Sequence, residues 1–206
     1  MKNPVWYDFI AVEGNIGAGK TTLARRLSES AGAELVTERF EDNPFLPKFY
    51  EDPATYAFPL ELSFLEDRYR QLSEEIAADK KIVADYYYAK SLVFARINLA
   101  GEELVLFERF FGHLEKRMRM PGLVIYLHRD TAALRQNIQN RGRSYEQGIE
   151  DGYLQKIGEG YRQHFHGKMP FPVLLIDTST HDADSLFELA SETVRKRFPN
   201  GLTEIS

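Results

Sequence analysis

Eight residues near the start of the chain, Gly14-Asn15-Ile16-Gly17-Ala18-Gly19-Lys20-Thr21, set a lysine and a hydroxyl at the end of a glycine-rich turn. Backbone N–H groups in such a turn can point inward around an anion, and a helix opening there adds unpaired donors and its positive dipole end. The run fits G-x-x-x-x-G-K-[ST] in full and lies between the apolar Phe9–Val12 and the helical pattern of Leu23 and Leu27, the strand, turn, helix context that the motif requires. A loop of this kind cradles a triphosphate. Lys20 reaches the β- and γ-phosphates, the Thr21 hydroxyl ligands Mg²⁺, and Gly14 to Thr22, including Asn15, Ile16, Gly17, Ala18 and Gly19, form the donor-binding set. The alternative is a tight strand-to-helix turn with a chance lysine.

Two carboxylates end strand-like runs and share that neighbourhood. Glu38, after Val36-Thr37, can take the proton of an attacking hydroxyl as a γ-phosphoryl group arrives, or pair with Arg39 or a neighbour. Asp85, after Ile82-Val83-Ala84, can hold Mg²⁺ directly or through water, orient the hydroxyl, or simply cap its strand. Arg141-Gly142-Arg143-Ser144-Tyr145-Glu146 places two planar cations around a glycine, suited to phosphate oxygens in a lid over about residues 139–148, although a solvated turn would read the same way.

These residues need a scaffold. Short runs rich in Val, Ile and Leu predict strands at Phe9–Val12, Glu34–Thr37, Lys81–Ala84, Leu123–Leu127 and Val173–Ile176. Helices are expected over Thr22–Ser30, about Pro59–Asp79, about Tyr88–Leu99, near Glu103–Met118, and over Thr131–Asn140, Gly148–Phe165 and Asp184–Arg197. This alternation predicts one doubly wound α/β domain over residues 1–206, with five parallel strands, helices on both faces and ligands beyond the carboxyl ends of the strands. The Pro- and aromatic-rich stretch from Asn43 to Pro53 reads as a packed loop with short helical turns beside a pocket.

Composition narrows the partners. With 26 basic and 31 acidic residues the net charge is −5, which disfavours nucleic acid and anionic membranes as partners. Cysteine is absent, so disulfides and thiolate metal sites are excluded. The opening Met1–Asp8 shows no signal-peptide core, and no run approaches the roughly 18 apolar residues of a membrane span, so a cytoplasmic protein is expected.

Taken together, Glu13–Thr22, Glu38, Phe49-Tyr50-Glu51-Asp52-Pro53, Phe58-Pro59-Leu60-Glu61, Arg68 and Arg141–Ile149 resemble the deoxynucleoside kinases, from about residue 8 to residue 177. The resemblance implies a P-loop kinase that transfers the γ-phosphate of ATP, with Mg²⁺, to the 5′-hydroxyl of a deoxynucleoside. It implies Glu38 as general base, Tyr50 and Glu146 on the sugar 3′-hydroxyl, Arg141 and Arg143 as lid arginines and Lys20 on the phosphates. The acceptor set is then Glu38, Tyr50, Glu61, Arg68, Asp85 and Glu146. A homodimer is also implied.

Two departures from the family pattern stand out. Glu61 replaces a glutamine that reads the base edge, and an ionised carboxylate accepts only, favouring purines through guanine N1–H and N2–H or the adenine amine; alternatively Glu61 pairs with Arg68, two helical turns on. After Asp85 the sequence reads Tyr86-Tyr87-Tyr88-Ala89-Lys90-Ser91, without the arginine that the family carries there; the cation is then supplied elsewhere or done without, Lys90 being one candidate, although a surface lysine is the favoured reading of it. His164 and His166 lack a third metal ligand and are expected to be packing or solvated residues. Phe107, Phe110 and Phe111, like Leu92, Val93, Phe94 and Leu99, are expected in the core or a subunit contact. Two rivals share the phosphate loop: a nucleoside monophosphate kinase, and a nucleotide switch without a small-molecule acceptor.

Overall fold

The computed structural model describes residues 7–205; residues 1–6, part of the stretch read as lacking a signal segment, and residue 206 lie outside the described residues. Six strands form one wholly parallel sheet: β1 Phe9–Gly14, β2 Glu34–Val36, β3 Ile82–Ala84, β4 Leu123–His128, β5 Pro172–Asp177 and β6 Gly201–Ile205, in the order β2-β3-β1-β4-β5-β6. The expectation of five strands is thus corrected to six. β6 pairs only with β5 and has no fully buried residue, so its short, partly polar sequence lacks the apolar run that marks the inner strands.

Among the described residues eight α-helices cover the sheet: α1 Lys20–Ala31, α2 Leu46–Glu51, α3 Pro53–Arg70, α4 Lys90–Asn98, α5 Gly101–Leu114, α6 Thr131–Arg141, α7 Asp151–His166 and α8 Ala183–Thr193. Strand alternation splits the core in two. Phe9 and Ala11 of β1 join Ala84, Val124, Tyr126 and Val173 under α3, α4, α5 and α7, while Ile10 and Val12 join Val83, Ile125, Leu127 and Leu174 against α1, α6 and α8.

α3 begins six residues before the expected start at Pro59. Asp52 caps it by accepting from the Thr55 N–H at 3.3 Å, Pro53 occupies the first turn, and the helix runs on through Pro59. Its buried stripe is Ala57, Leu60, Glu61, Phe64, Leu65 and Arg68, so the 3–4 spacing of a core face carries two charged residues inward. The helix then widens into a π-helical turn at Gln71–Glu75, ahead of the expected end at Asp79. Registers Ala11 with Ala84 and Val36 with Ala84 align the carboxyl ends of β1, β2 and β3, which sets the glycine loop, Glu38 and Asp85 side by side.

Candidate active site

The loop after β1 closes against β4 and α6. A side chain at Gly14 would bring its Cβ within 2.7 Å of the Leu127 carbonyl oxygen, and one at Gly17, which sits at φ 82°, within 2.9 Å of the Leu134 carbonyl oxygen. Asn137 of α6 donates to the Gly17 carbonyl at 2.7 Å, and Asn15 donates to the Leu154 carbonyl of α7 at 2.7 Å, so both flanking helices fix the loop. Lys20 folds back across it, donating to the Gly14 and Asn15 carbonyls, each at 2.9 Å. Burial and then the nearby Lys90 push the Lys20 ammonium down to about 8. Behind the loop lies Glu13, fully buried, which accepts from the Gly14 N–H at 2.8 Å, the Tyr87 N–H at 2.8 Å and the Tyr161 hydroxyl at 2.9 Å.

Beside the loop, the Asp85 carboxylate accepts from the Thr21 hydroxyl at 2.5 Å and from the Glu38 N–H at 2.7 Å. One residue thereby locks the helix-opening hydroxyl to the segment that carries Glu38. The Thr21 oxygen and a carboxylate oxygen at the cleft wall are hard donors that fit Mg²⁺, which takes few protein ligands and leaves its other positions to phosphate and water.

Glu38 is held by two cations. Its Oε1 accepts from Arg68 Nη2 at 2.5 Å and Nε at 3.2 Å, and its Oε2 from Lys90 Nζ at 2.8 Å. Burial alone would raise its pKa, but Lys90 and Arg68 outweigh it and hold the carboxyl well below the usual range. Arg68 also donates to the Ser91 hydroxyl at 2.5 Å. Lys90, expected on the surface, is therefore 7% exposed inside the site, because it stands one helical turn before Val93 on the inward stripe of α4. That i, i+3 relation was legible; the basic side chain masked it.

Beyond Glu38 opens a narrow cavity of about 100 Å³ walled by Leu60, Phe49, Phe64 and Phe94, so Phe94 both packs on the core and lines this space. At its far end Glu61, 2% exposed, accepts from the Asn98 amide at 2.7 Å, and Tyr153 hydrogen-bonds the same amide. The alternative Glu61–Arg68 pair is absent among the described hydrogen bonds and ion pairs. Burial pushes the Glu61 carboxyl up to about 7, so a protonated form that can also donate stands beside the ionised acceptor considered from the sequence. Asn98 and Tyr153 went unremarked in the sequence, although each lies four residues from an inward apolar partner, Phe94 and Ile157 respectively.

The third corner brings Tyr50 and the lid together. Tyr50 stacks on Tyr145 at 5.9 Å, and Glu146 is ion-paired with both Arg141 and Arg143, the second pair measuring 3.2 Å. Arg143 also lies 3.8 Å above the Phe40 ring. Of the six expected acceptor residues, Glu38, Tyr50, Glu61, Arg68 and Glu146 line this cavity, and Asp85 lines the neighbouring cleft. Among the described residues no group of three or more His, Asp or Glu side chains is placed to hold a metal ion. His164 packs on Tyr87 and Phe165, and burial lowers it to about 4. Phe107 and Phe111 are core, and Phe110 is 45% exposed.

On the other side of Glu38 an open cleft of about 670 Å³ runs along the glycine loop, lined by Lys20, Thr21, Arg25 and Asn140. The two spaces meet at Gly17, Lys20, Glu38, Phe40, Arg141 and Arg143. A cleft along the anion-binding loop and a smaller, mostly apolar cavity share one carboxylate at their junction, an arrangement suited to passing a group between two bound molecules.

Comparison with known proteins agrees. A profile of the deoxynucleoside kinase family matches residues 10–200. A deoxyguanosine kinase of Bacillus subtilis (strain 168) is 35% identical over 182 residues, covering 84% of this chain and 88% of that protein. A deoxyadenosine kinase of Dictyostelium discoideum is 30% identical, with 93% and 81% covered. The solved structure of a deoxyadenosine kinase from M. mycoides with bound dCTP superposes with a TM-score of 0.80 at 25% identity, over 90% of this chain and 98% of that one.

Proposed function

The chain belongs to the deoxynucleoside kinase family, and from that premise we propose that it moves the γ-phosphoryl group of ATP from the outer cleft to the 5′-hydroxyl of a purine deoxynucleoside in the inner cavity. The meeting of the two spaces at Glu38 carries this reading. The nucleoside O5′–H gives its proton to Glu38 as the O5′–P bond forms and the bond from phosphorus to the β-phosphate oxygen breaks, its electron pair leaving on ADP. Because Lys90 and Arg68 keep Glu38 ionised, its first task is to align the hydroxyl; a loose transition state asks little of a base before the bond is made. Thr21 and Asp85 would hold Mg²⁺, which supplies charge neutralisation along the phosphates.

Glu61 and Asn98 support the purine preference. Ionised, Glu61 accepts from guanine N1–H and N2–H; protonated, it donates to adenine N1 while its carbonyl oxygen accepts from the N6 amine. Tyr50 and Glu146, which both line the cavity, would share the sugar 3′-hydroxyl, and the lid arginines would turn to the phosphates. We take the chain as a single kinase domain acting as a homodimer. The exposed Val105, Leu106 and Phe110 of α5 are compatible with a subunit contact, and a cysteine-free chain suits a cytoplasmic setting. Incubation with ATP and each of the four deoxynucleosides, with products resolved chromatographically, tests the activity. Deoxyguanosine and deoxyadenosine 5′-monophosphates are expected to dominate, and ADP release indifferent to every nucleoside would reject the reading.

A further inference from the structure

In the roles above Lys90 serves only as a counter-charge to Glu38. Its Nζ has one described hydrogen bond, to Glu38 Oε2 at 2.8 Å, and lies 5.2 Å from the Phe94 ring centroid. It acts electrostatically on Lys20 across the junction of the two cavities and on Glu13 behind the loop. Lys90 lines the inner cavity and Lys20 lines both spaces, with Glu38 at their junction bonded to Lys90. Two ammonium groups beside one shared carboxylate leave positive charge in reserve for a second anion entering between them.

Arg68, the other cation on Glu38, is fixed. Its Nε and Nη2 are on Glu38, its Nη1 is on Ser91, and its guanidinium lies 5.0 Å from the Phe64 ring centroid. Lys90 ends instead in a rotatable ammonium with three donors on a flexible stem. It can keep one hydrogen bond on Glu38 and turn another toward a group arriving between Glu38 and Lys20. Its position is firm because α4 begins at Lys90, directly after the Tyr87 segment whose N–H is tied to Glu13.

We propose that Lys90 is a catalytic residue of the phosphoryl transfer, donating to an equatorial oxygen of the γ-phosphoryl group from the acceptor side while Lys20 holds it from the donor side. This rests on the kinase reading above. In the step itself O5′–P forms, the bond from phosphorus to the β-phosphate oxygen breaks, the hydroxyl proton goes to Glu38, and Lys90 contributes only charge and hydrogen bonds. Charge on the equatorial oxygens is what such donors stabilise most in the transition state.

The absence of cysteine gives a selective test. K90C would be the sole thiol of the chain, and alkylation with 2-bromoethylamine under denaturant, followed by refolding, restores an ammonium one sulfur atom removed from lysine. Removal of the charge is expected to lower kcat by about 10²- to 10³-fold, with KM for nucleoside and ATP within about threefold, and aminoethylation to regain at least about tenfold. Unmodified protein carried through the same treatment fixes the reference rate, and nucleoside binding with thermal melting reports folding. Retained kcat in K90C overturns the proposal, as does a loss confined to KM, or a folded aminoethylated protein that regains nothing. Should K90C not refold, K90M and K90R, expressed natively, replace it: K90R must then exceed K90M in kcat at equal nucleoside affinity, and equality overturns the proposal. Failure of the unmodified protein to phosphorylate any deoxynucleoside would instead remove the kinase reading, and this proposal with it.

Discussion

Glu38 and Glu61 lie within one cavity, and the charges around them give them opposite chemistry. Glu38 is partly buried between Arg68 and Lys90 and stays ionised, whereas Glu61 is buried beside a neutral amide and holds its proton up to about 7. Glu38→Gln keeps the size of the side chain and removes the proton acceptor. It should lower kcat by at least about 10²-fold for every deoxynucleoside while ATP affinity, measured by calorimetry, holds. Glu61→Gln separates the bases. A neutral amide offers one donor and one acceptor, matching adenine N1 and N6 but not the two donors of guanine, so the ratio of deoxyguanosine to deoxyadenosine turnover should fall about 10- to 100-fold. In the unmodified protein the same ratio should rise with pH through about 7, and in Glu61→Gln it should lie flat; competition assays across that range read both. Most of these residues were legible because motif and spacing announced them. Lys90, Asn98 and Tyr153 were not, since a polar residue on an apolar helical stripe reads as an interruption until the neighbouring helices are in place.

At the level of elements, the inner strands and their order follow from continuous Val, Ile and Leu runs, which only a sheet covered on both faces can bury. The two misjudged features have local causes. Pro59 looks like a helix start, yet Asp52 and Pro53 supply an earlier cap, and one missing N–H is tolerated within a packed helix. β6 follows the turn at Pro199-Asn200-Gly201 and owes its place to pairing with β5 rather than to its own composition. It stands at the sheet edge away from β1, β2 and β3, which carry the site. Truncation after Asn200 should therefore lower Tm by several degrees and, by baring the edge of β5, promote aggregation on heating, while KM for ATP and nucleoside stays within about twofold. Thermal scattering and steady-state rates on the truncated chain check both halves.

For the whole molecule, two buried groups oppose each other in the dependence of stability on pH. Glu61 has its pKa raised from 4.5 to about 7, so the folded protein binds more protons than the unfolded chain between those values and stability falls as pH rises, by about 3 kcal/mol in all. His164 is lowered from 6.5 to about 4, so the folded protein binds fewer protons there and stability rises with pH over nearly the same span. A nearly level profile between about pH 4.5 and 6.5 is expected from this pair. Glu61→Gln should reveal a rising limb and His164→Phe a falling one, in denaturant melts at half-unit intervals of pH. The lid has a consequence of another kind. Glu146 is ion-paired with both Arg141 and Arg143, so one carboxylate offsets charge on two lid guanidinium groups. On the roles proposed above, a sugar hydroxyl settling on Glu146 would compete for that carboxylate and free the arginines for the phosphates. Hydrolysis of ATP without an acceptor is then expected to stay slow, because water cannot release the lid as the nucleoside would.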